Sequence, residues 1–292
     1  KFHPRAIEFS ANRRRMYVST SRHLLLALSV PRPEDPPTQY SVISYIAAGF
    51  DLADVAVAGN DFIYVVSQRE KKVKAIDYNT DAIIASIPVG NFPEGIVINS
   101  GETPRQAYVV NGGDNTVSVI DTATHTVVGQ PITVGTQPRL IAVNPELNRV
   151  YITNHGSGNL SVVNTVTDTV TATVTIGNGP RGVAVNRDTD RTYAVNSNDN
   201  SISVIDGTNN QVIATITTGI GTDPRNTAVN SVLNKIYVGN YGSNSLSVID
   251  GVTNTVTSTV AVGQGPRGVG ANPDLATSYT SNSLSDTISV VQ

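Results

Sequence analysis

A tyrosine returns along the chain at a nearly constant interval. The series is Tyr17, Tyr64, Tyr108, Tyr151, Tyr193, Tyr237 and Tyr279, with spacings of 42 to 47 residues. A recurrence at this period makes the chain a repeat protein before any motif is considered. The unit is clearest after Gly135. It runs Gly135 to Asn144, then Arg149 to Asn154, then Asn159 to Asn164, then Thr169 to Gly177. Each of the four runs alternates apolar and polar residues and is bounded by Gly, Asn, Asp or Pro, which is the pattern of short β-strands. We name them A, B, C and D. The same order recurs from Gly177 to Gly219 and from Gly219 to Gly263, and with wider variation from Gly90 to Gly135.

Repeats of about 40–45 residues with four strands each are those of a β-propeller. One such blade cannot bury both of its faces, but a ring of them can. Seven tyrosines in 292 residues, 39% of them hydrophobic, predict an all-β chain folded as a single seven-bladed β-propeller domain. The blades fall at approximately 1–49, 50–90, 91–135, 136–177, 178–219, 220–263 and 264–292.

The ends of the chain qualify this reading. Pro4-Arg5-Ala6-Ile7 aligns with Pro138-Arg139-Leu140-Ile141, so the first unit begins at strand A. The last unit stops after strand C, at Thr287 to Gln292. Six blades of four strands and a last blade of three are expected. Its outer edge would be open, which favours a protein partner or an oligomer pairing there.

Tyr151-Ile-Thr-Asn154, Tyr108-Val-Val-Asn111 and Tyr237-Val-Gly-Asn240 resemble the signature of the YVTN family of β-propeller repeats. Ser118-Val-Ile-Asp121, Ser203-Val-Ile-Asp206 and Ser247-Val-Ile-Asp250 are similar to the third strand of that family. The resemblance covers Phe92 to Gln292; in the first two units only Tyr17-Val-Ser-Thr20 and Tyr64-Val-Val-Ser67 carry it. It implies that strand A is innermost and lines a central channel. It also implies that ligands sit at the end of the ring carrying the B–C and D-to-A loops. Together with the absence of cysteine, it implies an extracytoplasmic chain: periplasmic, secreted or at the cell surface. The fold does not name an activity.

One position near the start of strand A reads Arg5, Ala53, Glu94, Arg139, Arg181, Arg225 and Arg267 around the ring. Five arginines and a glutamate therefore gather at one channel mouth. A guanidinium is a planar fork of donors suited to carboxylate or phosphate, so Arg5, Arg139, Arg181, Arg225 and Arg267 are the candidate ligand-binding residues. The competing reading is that each arginine ties its blade to the next through backbone carbonyls.

The B–C loops share this end. Asn111, Asn154, Asn196, Asn240 and Asn282 occupy one position there, with Thr20 and Ser67 completing it, and read as turn residues. At the next position His155 and Tyr241 interrupt a run of mostly small residues. A histidine and a tyrosine beside an anion site can act as base and acid, so His155, Tyr241 and Glu94 are the catalytic candidates. Asp77, Asp121, Asp206 and Asp250 end strand C and read as turn residues. The glycines Gly90, Gly135, Gly177, Gly219 and Gly263 open the D-to-A crossings.

Composition removes other classes. There is no cysteine, so thiolate chemistry and disulfides are absent. His3, His23, His125 and His155 do not cluster in sequence, and no metal or other cofactor is expected. The longest apolar run, Leu24 to Val30, is far shorter than the roughly 20 residues of a membrane span. With 20 basic and 23 acidic residues the chain does not coat nucleic acid by overall charge. Arg13-Arg-Arg15 and Arg69 to Lys74 are local basic runs, and Pro31 to Pro37 is a stiff C–D connection.

These features predict a non-catalytic ligand-binding or scaffold propeller with a positive mouth for a small anionic ligand. Two alternatives stand beside it: a lyase- or lactonase-like enzyme acting on a small anionic substrate at the same mouth, and binding of single-stranded nucleic acid there.

Overall fold

A computed structural model describes residues 2–10, 12, 14–31, 40–59, 61–101 and 105–292. Arg13 and residues 32–37 of the proline-rich connection lie outside the described residues. The chain forms seven antiparallel sheets in sequence order, six with four strands and a last with three. Among the described residues, every element is a strand apart from one short 3-10 turn at Pro273–Leu275. This is the expected seven-bladed propeller with its three-stranded seventh blade. The inner strands A are Pro4–Phe9, Leu52–Ala58, Pro93–Asn99, Pro138–Asn144, Pro180–Asn186, Pro224–Asn230 and Pro266–Asn272. In blade seven, strand B (Thr277–Asn282) pairs with strand C (Thr287–Val291), and among the described residues strand C has no outer neighbour.

The repeated Tyr-x-x-Asn sequence does three separate jobs between and within blades. The tyrosine is buried in strand B, and in several blades its hydroxyl reaches the C–D turn of the next blade. Tyr64 meets His125 Nδ1 at 2.8 Å, and Tyr108 donates to Asp168 Oδ1 at 2.8 Å. Tyr279 of blade seven meets the hydroxyl of Tyr40 in blade one at 2.8 Å, so the same contact closes the ring. A tyrosine suits this place because its ring fills apolar space while its tip needs a polar partner.

Where the third residue of the motif is a hydroxyl, as in blades four and seven, it fixes the backbone of the next blade. Thr153 donates to the carbonyl of Arg181 at 2.5 Å, and Ser281 donates to that of Arg5 at 2.6 Å. The asparagine acts within its own blade. Asn111, Asn154, Asn196, Asn240 and Asn282 are buried, and each donates from Nδ2 to a strand C hydroxyl at 2.9–3.0 Å: Ser118, Ser161, Ser203, Ser247 and Ser289. They are thus core residues that lock strand B to strand C, rather than exposed turn formers.

The crossing glycines answer to these asparagines. A Cβ on Gly90 would lie 2.6 Å from Asn111 Cγ, and one on Gly177 would lie 2.6 Å from Asn196 Cγ. In blade six the residue against Asn240 is Gly221, at 2.7 Å. Gly219, which the repeat assigns to this role, instead takes a positive φ of 81° beside Val256. The two extra residues of that crossing shift the contact.

The aspartates ending strand C are turn residues, as expected. Asp77 accepts from the Thr80 amide at 2.8 Å, Asp121 from Ala123 at 2.7 Å, Asp206 from Thr208 at 2.8 Å and Asp250 from Val252 at 2.7 Å. The Thr80 amide for Asp77, the Thr208 hydroxyl and then its amide for Asp206, and the Thr253 and then Val252 amides for Asp250 favour the charged form and lower these carboxyl pKa values.

Candidate functional site at the arginine mouth

Each inner strand carries a β-bulge just after its first residue. The A–B register slips between Pro138 and Ile141, between Pro180 and Val183, and at the matching place in every blade. A bulge re-aims a side chain, and the residue inside this one is the arginine position. A cavity of about 60 Å³ results, lined by Arg5, Arg139, Arg181, Arg225, Arg267, Ala53 and Glu94 together with Ala6, Asp54, Leu140 and Asn226. All seven residues of the sequence-derived ring therefore converge on one mouth.

Their partners differ. Arg139 Nη1 donates to Glu94 Oε1 at 2.5 Å, and Gln68 donates to the same oxygen at 3.2 Å. Arg225 donates to Asp223 Oδ2 at 2.7 Å and lies over the Tyr241 ring, its Cζ 3.4 Å from the centroid. Arg5 lies 3.7 Å from Asp51. Among the described residues, Arg181 and Arg267 have no ion pair, and Nε of Arg181 is buried without a hydrogen bond. Burial, followed by the charges of Arg225 and Arg139, lowers the Arg181 pKa. Burial, followed by Arg5, brings Arg267 down to about 10. Both remain charged at neutral pH.

Among the described residues, none of the five arginines hydrogen-bonds a backbone carbonyl; the interblade ties at the mouth are ion pairs, Arg139 with Glu94 and Arg5 with Asp51. Bonds to backbone carbonyls fall to other arginines, at the first position of strand B. Arg15 donates to the carbonyl of Tyr78 at 3.0 Å, Arg191 to that of Gly251 at 2.5 Å, and Arg149 to that of Gly207.

The catalytic candidates are brought to the mouth but not into a relay. His155 is half-buried, and its Nε2 is enclosed without a partner. Burial, then Arg181 and Arg139, lowers its pKa, so the ring is neutral at pH 7. Tyr241 is engaged by Arg225, and Glu94 by Arg139. Among the described residues no contact joins His155 to Tyr241. His125 lies at the other end, bonded to Tyr64.

Sequence reasoning overlooked Asp54. It sits one residue beyond the arginine position, where the register gives other blades Gly95, Gly182 and Gly268. Its carboxylate accepts from the amides of Val55 and Ile96, each at 3.0 Å. Burial raises its pKa to about 6, against those two hydrogen bonds, with a further upward push from Glu94. The signal was a single acidic residue at a position otherwise small or uncharged.

The basic run from Arg69 to Lys74 is partly tied down, with Lys74 2.7 Å from Glu70 and Arg69 over the Phe50 ring. Among the described residues no group of three or more potential metal ligands occurs, and no helix is long and apolar enough to cross a membrane.

No family model matches the chain. A stretch of 55 residues, 19% of the chain, is 49% identical to the PE-PGRS family protein PE_PGRS18 of Mycobacterium tuberculosis. That match takes in 11% of the mycobacterial protein's length. Among solved structures, hydrazine synthase of Kuenenia stuttgartiensis superposes with a TM-score of 0.86 over 99% of this chain and 95% of that one, at 19% identity. At that identity the likeness concerns the fold alone, and the fold is a seven-bladed β-propeller.

Proposed function

We propose that this chain is a non-catalytic binding propeller of the YVTN repeat type, whose arginine mouth holds one small anionic group, a carboxylate or a phosphate. The observation that carries the proposal is the pair Arg181 and Arg267. They face the mouth without ion pairs while their neighbours have them. Like charges held close and enclosed are costly unless an anion neutralises them. A cavity of about 60 Å³ suits a single anionic head rather than a nucleotide base. The repeat type rests on the Tyr-x-x-Asn sequences and their interblade and intrablade roles.

The test is titration calorimetry with acetate, citrate and phosphate at low ionic strength. Saturable binding is expected in the wild type, with loss in Arg181→Gln and Arg267→Gln. Equal heats in wild type and both variants would refute the reading. A thymidine oligonucleotide serves as the nucleic-acid arm. Binding of the oligonucleotide in preference to the small anions, with a steep salt slope, would favour the nucleic-acid alternative.

A second reading, a lyase- or lactonase-like enzyme, draws on one observation: the neutral His155 with an enclosed, unpartnered Nε2 beside two arginines. It requires turnover of a small anionic substrate that His155→Ala abolishes without altering the melting temperature. Extracytoplasmic location, periplasmic, secreted or at the cell surface, is part of the proposal. It rests on the absence of cysteine and on the family resemblance, and cell fractionation tests it. Pairing through the open edge of Thr287–Val291, with a protein partner or a second copy, is also part of it. Sedimentation over a concentration series tests self-association, with Val290→Lys expected to weaken it.

A further inference from the structure

Beyond the mouth the channel opens into a second cavity of about 620 Å³, which shares no lining residue with the first. It ends at the A–B loops, on the face of the ring opposite the arginines. Its walls are layers contributed by the seven inner strands. One layer consists of the residues paired with the repeated tyrosines. In six blades these are Ala56, Val97, Ala142, Ala184, Ala228 and Gly270. In blade one the same position is Glu8.

Glu8 thus stands alone as a carboxyl in a ring of small apolar residues. Its side chain is exposed to the lumen rather than packed into the blade. Among the described residues it has no ion pair. The charges that face it are Asp54, from the neighbouring inner strand and nearer the mouth, and Arg187, which follows the inner strand of blade five. Asp54 acts on it more strongly than Arg187 does, so the field at Glu8 is negative. Enclosure by the walls, then Asp54, raises its pKa, and lumen water tempers the size of that effect. The rest of the wall is mostly Val, Ile and Ala with Phe9 and Thr227 among them, and Ser10, Ser100, Ser231 and Arg105 lie at the far rim, Arg105 3.5 Å from Asp61.

A lone carboxyl in a negative field keeps its proton unless a cation takes that place. The Val, Ile and Ala layers around Glu8 favour an apolar body that displaces their water. We propose that this lumen is a binding site for a primary amine with an aliphatic body, its ammonium on the Glu8 carboxylate and its chain along the Val and Ala walls. The site is separate from the anion mouth and does not depend on that reading.

The experiment is calorimetry on the whole chain with hexylamine, hexanol and hexanoate, near pH 9, above the raised Glu8 pKa of about 8 and below that of an alkylamine. Hexylamine is expected to bind at least about tenfold more tightly than the other two, the scale of one charge-assisted hydrogen bond. Glu8→Gln is expected to remove that preference. Ala184→Phe, which narrows the lumen, is expected to weaken hexylamine and hexanol together.

Circular dichroism on each variant separates loss of the site from loss of the fold. Should Ala184→Phe fail to fold, Glu8→Gln alone decides the matter, since it changes no volume. Hexylamine binding equal to hexanol, hexanoate binding more tightly, or a hexylamine affinity that survives Glu8→Gln would each overturn the proposal.

Discussion

Replacing Arg181 by glutamine removes one charge from the mouth and keeps most of the side-chain volume. Arg181 stands between Arg139 and Arg225 around the ring, and both of them lower its pKa. Two guanidinium groups about 10 Å apart at an effective dielectric of 20 repel by roughly 1.7 kcal/mol. Screening over a Debye length of about 30 Å at 10 mM salt leaves roughly 1.2 kcal/mol per neighbour, and about 10 Å at 0.1 M leaves roughly 0.6 kcal/mol. Two neighbours therefore give about 2.4 and about 1.2 kcal/mol. Loss of stem packing and of the attraction to Asp223 and Glu94 takes back about 0.5–1 kcal/mol. Arg181→Gln is thus expected to be more stable than wild type, by about 1.5 kcal/mol at 10 mM salt and by a few tenths at 0.1 M. For a domain of this size that is a rise in melting temperature of about 3–6 °C at low salt, shrinking as salt is added.

The assay is differential scanning fluorimetry in a buffer without carboxylate or phosphate, over a salt series. Adding an anion at about 100 times its dissociation constant stabilises the wild type by roughly 2.7 kcal/mol. That should reverse the order of the two proteins. A melting temperature that falls in Arg181→Gln at low salt, and stays below wild type with or without anion, would refute the reasoning. It would make Arg181 a structural residue.

Other outcomes follow from the same geometry. Glu94→Gln breaks the 2.5 Å pair with Arg139 and adds an uncompensated cation to the mouth. We expect a loss of about 1–3 kcal/mol in chemical denaturation and tighter binding of the anion. Tyr279→Phe removes the hydroxyl contact with Tyr40 that joins blade seven to blade one, and should cost about 0.5–1.5 kcal/mol. The same change at Tyr64 would strand His125 instead.

Asp54 has its pKa raised from 3.8 to about 6. Between those values the folded chain binds a proton that the unfolded chain has released. This contribution to stability is full at about pH 4 and is lost as pH rises through about 6. Asp54→Asn should flatten the melting temperature over that window. His155 behaves in the opposite sense. Its pKa is lowered, so the unfolded chain takes up the proton first and stability falls as pH drops below about 6.5. His155→Gln should remove that part of the acid slope.

The sequence by itself determined the repeat, the number of blades, the three strands of the last blade and the identity of the mouth. All of these follow from periodicity, because each unit solves the same packing problem with the same residues. Arg5, Arg139, Arg181, Arg225 and Arg267 could be placed together from alignment of the units, since closing a ring brings equivalent positions to one axis. The tertiary structure decided what alignment cannot express: which equivalent residues have partners. Arg139 and Arg225 are matched by Glu94 and Asp223, and Arg181 and Arg267 are not. The buried asparagines show the same limit, for as letters they are turn formers and in the fold they hold strand C. Glu8 and Asp54 went unread because neither repeats. Their meaning lies in the small or uncharged residues that other blades place at the same height in the channel, a relation that exists only once the ring has closed.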